Sequence, residues 1–186
     1  MVLRDSFATA AQNMRFDEEL LKQFITSSGD PVFRFYEWQN RGLTYSEKRM
    51  PDSPLLMIDH SPRVTGGGVV FHGPGDIVFS IIMSTKDPRF PRQLKDKMVW
   101  VSDYVRTLFE GVGVSLTMGS AHKMEQDIMF CNSYYNPYEL YFGTEKVCGI
   151  ALRKYRDAVV FQGVIHLTSS FDHFPELVAE YGAVFT

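Results

Sequence analysis

Three consecutive glycines, Gly66-Gly67-Gly68, separate Arg63-Val64-Thr65 from the apolar run Val69-Val70-Phe71 and a histidine, His72. Glycine gives up more conformational freedom on ordering than any other residue. Three in a row therefore mark a place where the backbone bends sharply or where something approaches it closely. Two readings stay open at this point. The stretch is a glycine-rich hairpin between two core strands, or it is a backbone cradle for an anionic or acyl ligand, with an arginine on one side and a histidine on the other. It is not a P-loop, because no Gly-Lys-Ser/Thr follows. It is not a dinucleotide fingerprint, because a strand pattern follows rather than a helix.

The flanking patterns set the fold class. Residues 8–26 read as a helix with Phe16, Leu20, Leu21, Phe24 and Ile25 on one face and Asp17, Glu18 and Glu19 on the other. Gly29-Asp30-Pro31 stops it. Residues 32–38 alternate and are rich in strand formers, residues 44–48 suit one helical turn, and residues 55–58 suit a short strand. Residues 69–72 and 77–84 read as strands on either side of a tight Gly73-Pro74-Gly75 turn. Leu94, Met98, Val101, Val105, Leu108 and Val112 form a single apolar stripe at helical spacing, closed by Gly111 and Gly113. A strand at 114–118 and a polar loop at 120–126 follow. Four strands are predicted at 127–131, 137–142, 146–153 and 158–168, with hairpin-length links at 143–145 and 154–157. Residues 175–181 suit a short last helix. The expected architecture is an α+β domain, a mixed and mostly antiparallel sheet packed with helices, forming one domain over residues 1–186.

Composition excludes several classes. The net charge of −3 and the absence of any Lys/Arg-rich run argue against a nucleic-acid binder. No apolar run approaches the ~18 residues of a membrane span, and the N-terminus carries no signal-peptide core. Cys131 and Cys148 are too few for a disulfide framework, which fits a reducing cytoplasm. His60, His122, His166 and His173 share no metal-like spacing, so no metal centre is expected. Cys148 sits inside a strand pattern and reads as core. Cys131 ends a strand pattern and suits a nucleophile if a nearby cation stabilises its thiolate, or a small core residue. Lys146 heads a strand and is followed by the small residues Gly149 and Ala151, which would let a ligand approach the strand.

Taken together, these segments resemble the biotin/lipoate protein ligase superfamily, in its lipoate-protein ligase A and octanoyltransferase branch. Arg63-x-Thr65-Gly66-Gly67-Gly68-x-Val70-x-His72 is similar to the ligand-binding loop of that family. Glu145-Lys146-Val147-Cys148-Gly149-Ile150-Ala151 is similar to its lysine motif. Residues 11–20 resemble its entry helix, and Phe35-Tyr36-Glu37-Trp38 the strand after it. The chain departs from the pattern in three residues and in length. A single arginine precedes the glycines, Gln162 stands for the usual histidine, and Cys148 for a serine or alanine. The chain also stops soon after residue 168, without the C-terminal accessory region of many relatives.

The resemblance implies a catalytic domain that attaches an octanoyl or lipoyl group to a lysine of a small lipoyl carrier domain. Such carriers belong to 2-oxoacid dehydrogenase complexes or are the glycine cleavage H protein. Lys146 would contact the acyl carbonyl. Arg63, Thr65, Gly66, Gly67, Gly68 and His72 would wall the pocket, with Gly149 and Ala151 lining it. Cys131 followed by Tyr138-Glu139-Leu140 and Lys146 resembles the transferase arrangement, in which acyl-carrier protein loads a cysteine and no cofactor is needed. The alternative is a ligase using ATP and Mg2+ through an acyl-adenylate, alone or with a separate accessory chain. A third possibility is an acyl-binding protein without turnover.

Overall fold

The computed structural model of the protein describes residues 1–5, 8–27, 29–51, 53–119 and 137–167. Two helices are present among them, α1 (Ala10–Ser27) and α2 (Leu94–Glu110). The strands are β1 (Val2–Arg4), β2 (Val32–Glu37), β3 (Gly42–Ser46), β4 (Asp59–Arg63), β5 (Val70–His72), β6 (Ile77–Ser84), β7 (Thr117–Met118), β8 (Leu140–Phe142), β9 (Glu145–Tyr155) and β10 (Ala158–Ile165). Seven strands form the main sheet in the order β1-β2-β6-β10-β9-β8-β7, and a small sheet has the order β4-β3-β5. In the main sheet only β1 and β2 run parallel; every other pair is antiparallel. The expected mixed, mostly antiparallel α+β architecture is the one observed. Among the described residues no helix is long and apolar enough to cross a membrane.

Strand alternation divides the sheet cleanly. One face stacks Phe79, Ile81 and Met83 of β6 with Phe161 and Val159 of β10, and Met98, Val101 and Val105 of α2 cover it. The other face presents Val32, Ile82 and Val160 to Leu20, Leu21 and Phe24 of α1. Both faces of the central strands are therefore dry, which is why all eight residues of β10 are buried. Two tight hairpins frame β9. Phe142 pairs with Glu145 across Gly143-Thr144, and Tyr155 with Ala158 across Arg156-Asp157. The left-handed residues Gly143 (φ 60°) and Arg156 (φ 52°) sit in these turns.

Several local expectations are corrected. Residues 44–48 do not make a helical turn. Residues 42–46 form the central strand of the small sheet, paired on both sides and fully buried, and tertiary pairing overrides the local pattern. Residues 55–57 belong to a 3-10 turn, Ser53–Met57, Ile58 is a bend, and the strand begins only at Asp59. Pro54, which fixes φ and carries no N–H, favours a turn over a ladder. In α1, Asp17 is wholly buried while Phe16 is 38% exposed. The buried positions Ala10, Asn13, Met14, Asp17, Leu20, Leu21 and Phe24 follow the three-four spacing that Asp17 itself fits. The stripe on α2 outruns the sheet: the helix ends at Glu110, and Leu108 and Val112 are exposed. The strand expected at 114–118 is confined to Thr117–Met118, and the N-terminal strand β1 was not foreseen. The expectations for residues 120–126, 127–131 and 175–181, and for Cys131, His122 and His173, lie outside the described residues.

One glycine is fixed by packing alone. A Cβ on Gly163 would lie 2.2 Å from the ring of Phe79, which leans across β10 on the α2 side. Gly163→Ala is expected to lower stability by about 1–3 kcal/mol, the usual penalty for overpacking a tight core. Denaturant midpoints of the two proteins check this, and an unchanged midpoint would show that the ring is free to shift.

Candidate functional site

The site grows from one row of residues across the main sheet. Cross-strand register places Arg34 of β2 beside Ser80 of β6, Ser80 beside Gln162 of β10, and Gln162 beside Ala151 of β9. In-register neighbours point to the same face, so all four look toward α1. Asp17 descends from α1 onto this row. Its Oδ1 accepts from Arg34 at 2.7 Å and from Ser80 at 2.8 Å. Its Oδ2 accepts from Gln162 Nε2 at 2.6 Å and from the Tyr36 hydroxyl at 3.1 Å. A buried carboxylate survives only when it is paired and hydrogen-bonded, and this one has donors from three strands. Arg34 also donates to Asp5 and to the backbone and side chain of Asn13. Burial opposes the Arg34 charge, and Asp17 and its other partners more than offset it. Burial and the Asp17 charge push the Tyr36 phenol well above its ordinary range, so it stays a donor.

The glycine loop hangs beside this row. Thr65, fully buried, donates its hydroxyl to Gln162 Oε1 at 2.8 Å. The carbonyl of Val64 accepts from the Tyr155 hydroxyl at 2.7 Å, and Arg153 donates to it at 3.4 Å. Arg63 turns inward. It donates to the carbonyls of Gly66 and Gly68 at 2.6 and 2.8 Å and to the Thr44 hydroxyl at 3.3 Å. Gly67 holds φ 97°, a conformation costly to residues with a Cβ, and the space beside the Gly66 Cα is open. His72 stands behind the loop. It stacks on Trp38 at 4.3 Å and its Nε2 lies 2.9 Å from the Thr44 hydroxyl. Arg63 donates to that same oxygen, so the Thr44 hydroxyl links the imidazole to the guanidinium. Burial, then the charges of His166 and Arg63, hold the His72 pKa well below its ordinary value, so the ring is neutral.

Lys146 reaches the same face through an irregularity in β9. Lys146 and Gly149 are three apart and would point to opposite faces of a regular strand. Tyr141 pairs with Lys146 and Leu140 with Cys148, so Val147 is an extra, bulged residue. The bulge re-aims the lysine. A Cβ on Gly149 would lie 3.5 Å from Lys146 Cε and 3.8 Å from its Nζ, so the absent side chain of Gly149 is what the lysine crosses. Nζ pairs with Glu139 Oε1 at 2.8 Å, and the two side chains are 12% and 7% exposed. The backbone N–H of His166 donates to Val147 O across the bulge, and His166 Nδ1 lies 3.1 Å from Asp76. Cys148 points to the α2 face and is fully buried. Burial, then the Glu139 charge, push its thiol far above the usual range despite Lys146.

The structure thus brings Thr65, Gly66, Gly67, Gly68, Lys146, Gly149 and Ala151 to one side of one sheet. Arg63 and His72 lie on the inner side of the loop, within its framework. Cys131 lies outside the described residues. Sequence reasoning missed Asp17, Glu139 and, as a functional contact, Gln162. The spacing of Asp17 from Met14, Leu20 and Leu21 was a usable signal. Glu139 was noted only as part of the Tyr138-Glu139-Leu140 segment, and its pairing with Lys146 had no local signal. Among the described residues, no three His, Cys, Asp or Glu side chains gather where a metal could be held.

A mixed sheet carrying a glycine loop and a bulge-borne lysine on one face defines the class of domain. The chain belongs to the lipoyl protein ligase A/B catalytic domain family, which matches residues 9–183. Octanoyltransferase LipM of Carboxydothermus hydrogenoformans is 26% identical over 171 residues, 88% of this chain and 63% of that protein. The chain therefore spans less than two thirds of that relative's length. Protein Ta0514 of T. acidophilum, solved with bound lipoic acid, has the same fold. Its TM-score is 0.72 at 19% identity, over 92% of this chain and 69% of that one. A lipoate-protein ligase A bound with ATP gives a TM-score of 0.71 at 20% identity, over 96% and 69% of the two chains.

The neutral, buried His72 makes stability depend on pH. In the unfolded chain its imidazole takes up a proton below about pH 6.5, whereas the folded chain excludes it. The unfolded state then binds more protons, so this contribution is complete above about pH 6.5 and declines as pH falls, by at most about 1.4 kcal/mol per unit. The stability advantage of wild type over His72→Gln is expected to shrink between pH 7 and 5. Urea titrations across that range check it, and a constant difference would place a proton on the folded imidazole.

Proposed function

We propose that this chain transfers an octanoyl or lipoyl group to a lysine of a lipoyl carrier domain through a thioester on Cys131. The observation that carries the reading is that Lys146, Gly149 and Ala151 share a sheet face with Gln162, to which Thr65 at the head of the Gly66–Gly68 loop is bonded. Ala151 would leave room for an extended acyl chain along β9, and the lysine that crosses Gly149 would bring an ammonium to its carbonyl. In the first step the Cys131 thiolate attacks the thioester carbonyl of an acyl-carrier protein. A bond from Sγ to the acyl carbon forms, the carrier's carbon–sulfur bond breaks, and the carrier leaves as its thiol with the proton from Cys131. In the second step the ε-amine of the acceptor lysine attacks the same carbon. The amide forms, the bond to Sγ breaks, and the amine's proton returns to the sulfur. In both steps negative charge builds on the acyl oxygen, and Lys146 with nearby backbone N–H groups would stabilise it. Glu139 would hold the ammonium in place between turnovers.

The second reading is an ATP-dependent ligase, favoured by the shared fold with a lipoate-protein ligase A bound with ATP. Lys146 would then face an acyl-adenylate. The inward commitment of Arg63 to two loop carbonyls and Thr44 supports transfer over adenylation, since that guanidinium serves the loop rather than a phosphate.

Incubation with octanoyl-loaded acyl-carrier protein is expected to add one octanoyl mass to wild type and none to Cys131→Ser, read by intact mass. Full transfer by Cys131→Ser would exclude the thioester. Lys146→Ala is expected to lower the transfer rate about 100- to 1,000-fold, the usual loss of one oxyanion donor. Lipoate-dependent pyrophosphate release by wild type would establish the ligase instead.

A further inference from the structure

We propose that Gln162 is a positioning residue, whose amide, oriented by Asp17, sets the height of the Thr65–Gly68 loop above the Gly149–Ala151 floor. As a statement about acyl binding this rests on the function proposed above; as a statement about the loop it does not.

A carboxamide has two unlike ends, and here its surroundings decide which end faces where. Asp17 Oδ2 already accepts from the Tyr36 hydroxyl, and its partner oxygen accepts from Arg34 and Ser80. An ionised carboxylate only accepts, so Nε2 of Gln162 must face it, as it does at 2.6 Å. The carbonyl Oε1 is then left pointing at the loop, where Thr65 donates to it at 2.8 Å. Polarity thus runs one way, from Thr65 through Gln162 into a carboxylate held by three strands.

The loop's other fastenings act differently. The bonds from Arg63 to Gly66 and Gly68 brace the loop internally, and the bond from Arg63 to Thr44 ties it to the small sheet. Arg153 and Tyr155 reach Val64 at the loop's entry. The bond from Thr65 to Gln162 stands immediately beside the floor, because Gln162 and Ala151 are register partners. Its length therefore sets the gap between the glycines and the small residues of β9. A ligand lying in that gap feels a change in this hydrogen bond as a change in fit, while Lys146 is held by its own ion pair with Glu139 over Gly149.

The test uses Thr65→Val, Thr65→Ser, Gln162→Leu and Gln162→Glu in the full chain, with octanoic acid as the binding probe and octanoyl-carrier protein as donor. Thr65→Val is near-isosteric and leaves every donor to Asp17 intact, so it answers even if Gln162→Leu fails to fold. Thr65→Val is expected to speed amide hydrogen exchange at residues 64–69 at least tenfold. It should also raise KM for the donor at least tenfold, with kcat changed less than threefold, and Thr65→Ser should restore both. Gln162→Glu adds a signature that packing alone does not produce. Its carboxyl can copy the amide only while protonated, donating to Asp17 and accepting from Thr65. Octanoate affinity in this variant should be near wild type at low pH and fall as pH rises, relative to wild type at each pH. Loop exchange and KM within twofold of wild type in folded Thr65→Val would overturn the proposal. If wild type binds no octanoate and accepts no acyl group, the proposed function fails and the exchange measurement alone decides the relay.

Discussion

A fully buried carboxylate holds this fold together. Asp17 comes from a helix, and its four donors come from β2, β6 and β10, the strands over which that helix lies. Taking a carboxylate out of water costs several kcal/mol, and only complete satisfaction returns that cost. The arrangement therefore permits one placement of α1. A slide of one helical turn, or a one-residue slip of any of the three strands, would leave the carboxylate or the Arg34 guanidinium unpaired in a dry interior. Apolar contacts supply most of the burial on this face, but they are tolerant of small shifts. The polar row is not.

The site borrows its geometry from that row. Gln162 belongs to the Asp17 network at one end and to the glycine loop at the other. The helix that anchors the domain thus also anchors the loop. A single extra residue in β9 turns Lys146 onto the face that carries Gly149, and the missing side chain of Gly149 leaves it a path to Glu139. A bulge, a glycine and a carboxylate partner each constrain the lysine, so its ammonium is held in a narrow range of positions before any ligand arrives. Such preorganisation is what makes one hydrogen-bond donor effective against a developing charge.

Charges near the loop are largely employed in structure. Arg63 binds carbonyls, His72 is neutral and stacked on Trp38, and the Cys148 thiol is sealed under α2. Lys146 differs in being paired with Glu139 yet partly accessible. The nucleophile proposed above, Cys131, lies outside the described residues.

The sequence by itself determined the fold class, the long central strands, both helices of the described residues and the family to which the chain belongs. Those features are local, or they are short motifs whose residue types have few other uses: runs of glycine, apolar stripes, two-residue hairpins. The tertiary structure alone decided what depends on contacts between distant segments. Residues 44–48 suited a helical turn until two flanking strands claimed the segment as a ladder. Asp17 was assigned to solvent because acidic residues usually belong there, and only the donors on β2, β6 and β10 make its burial possible. Gln162 was visible as a departure from a family pattern, but its work depends on Asp17, 145 residues away in the chain, and on Thr65, 97 residues away. The face on which Lys146 lies was likewise undetermined by spacing, since a bulge is defined by the register of two strands and not by either one alone.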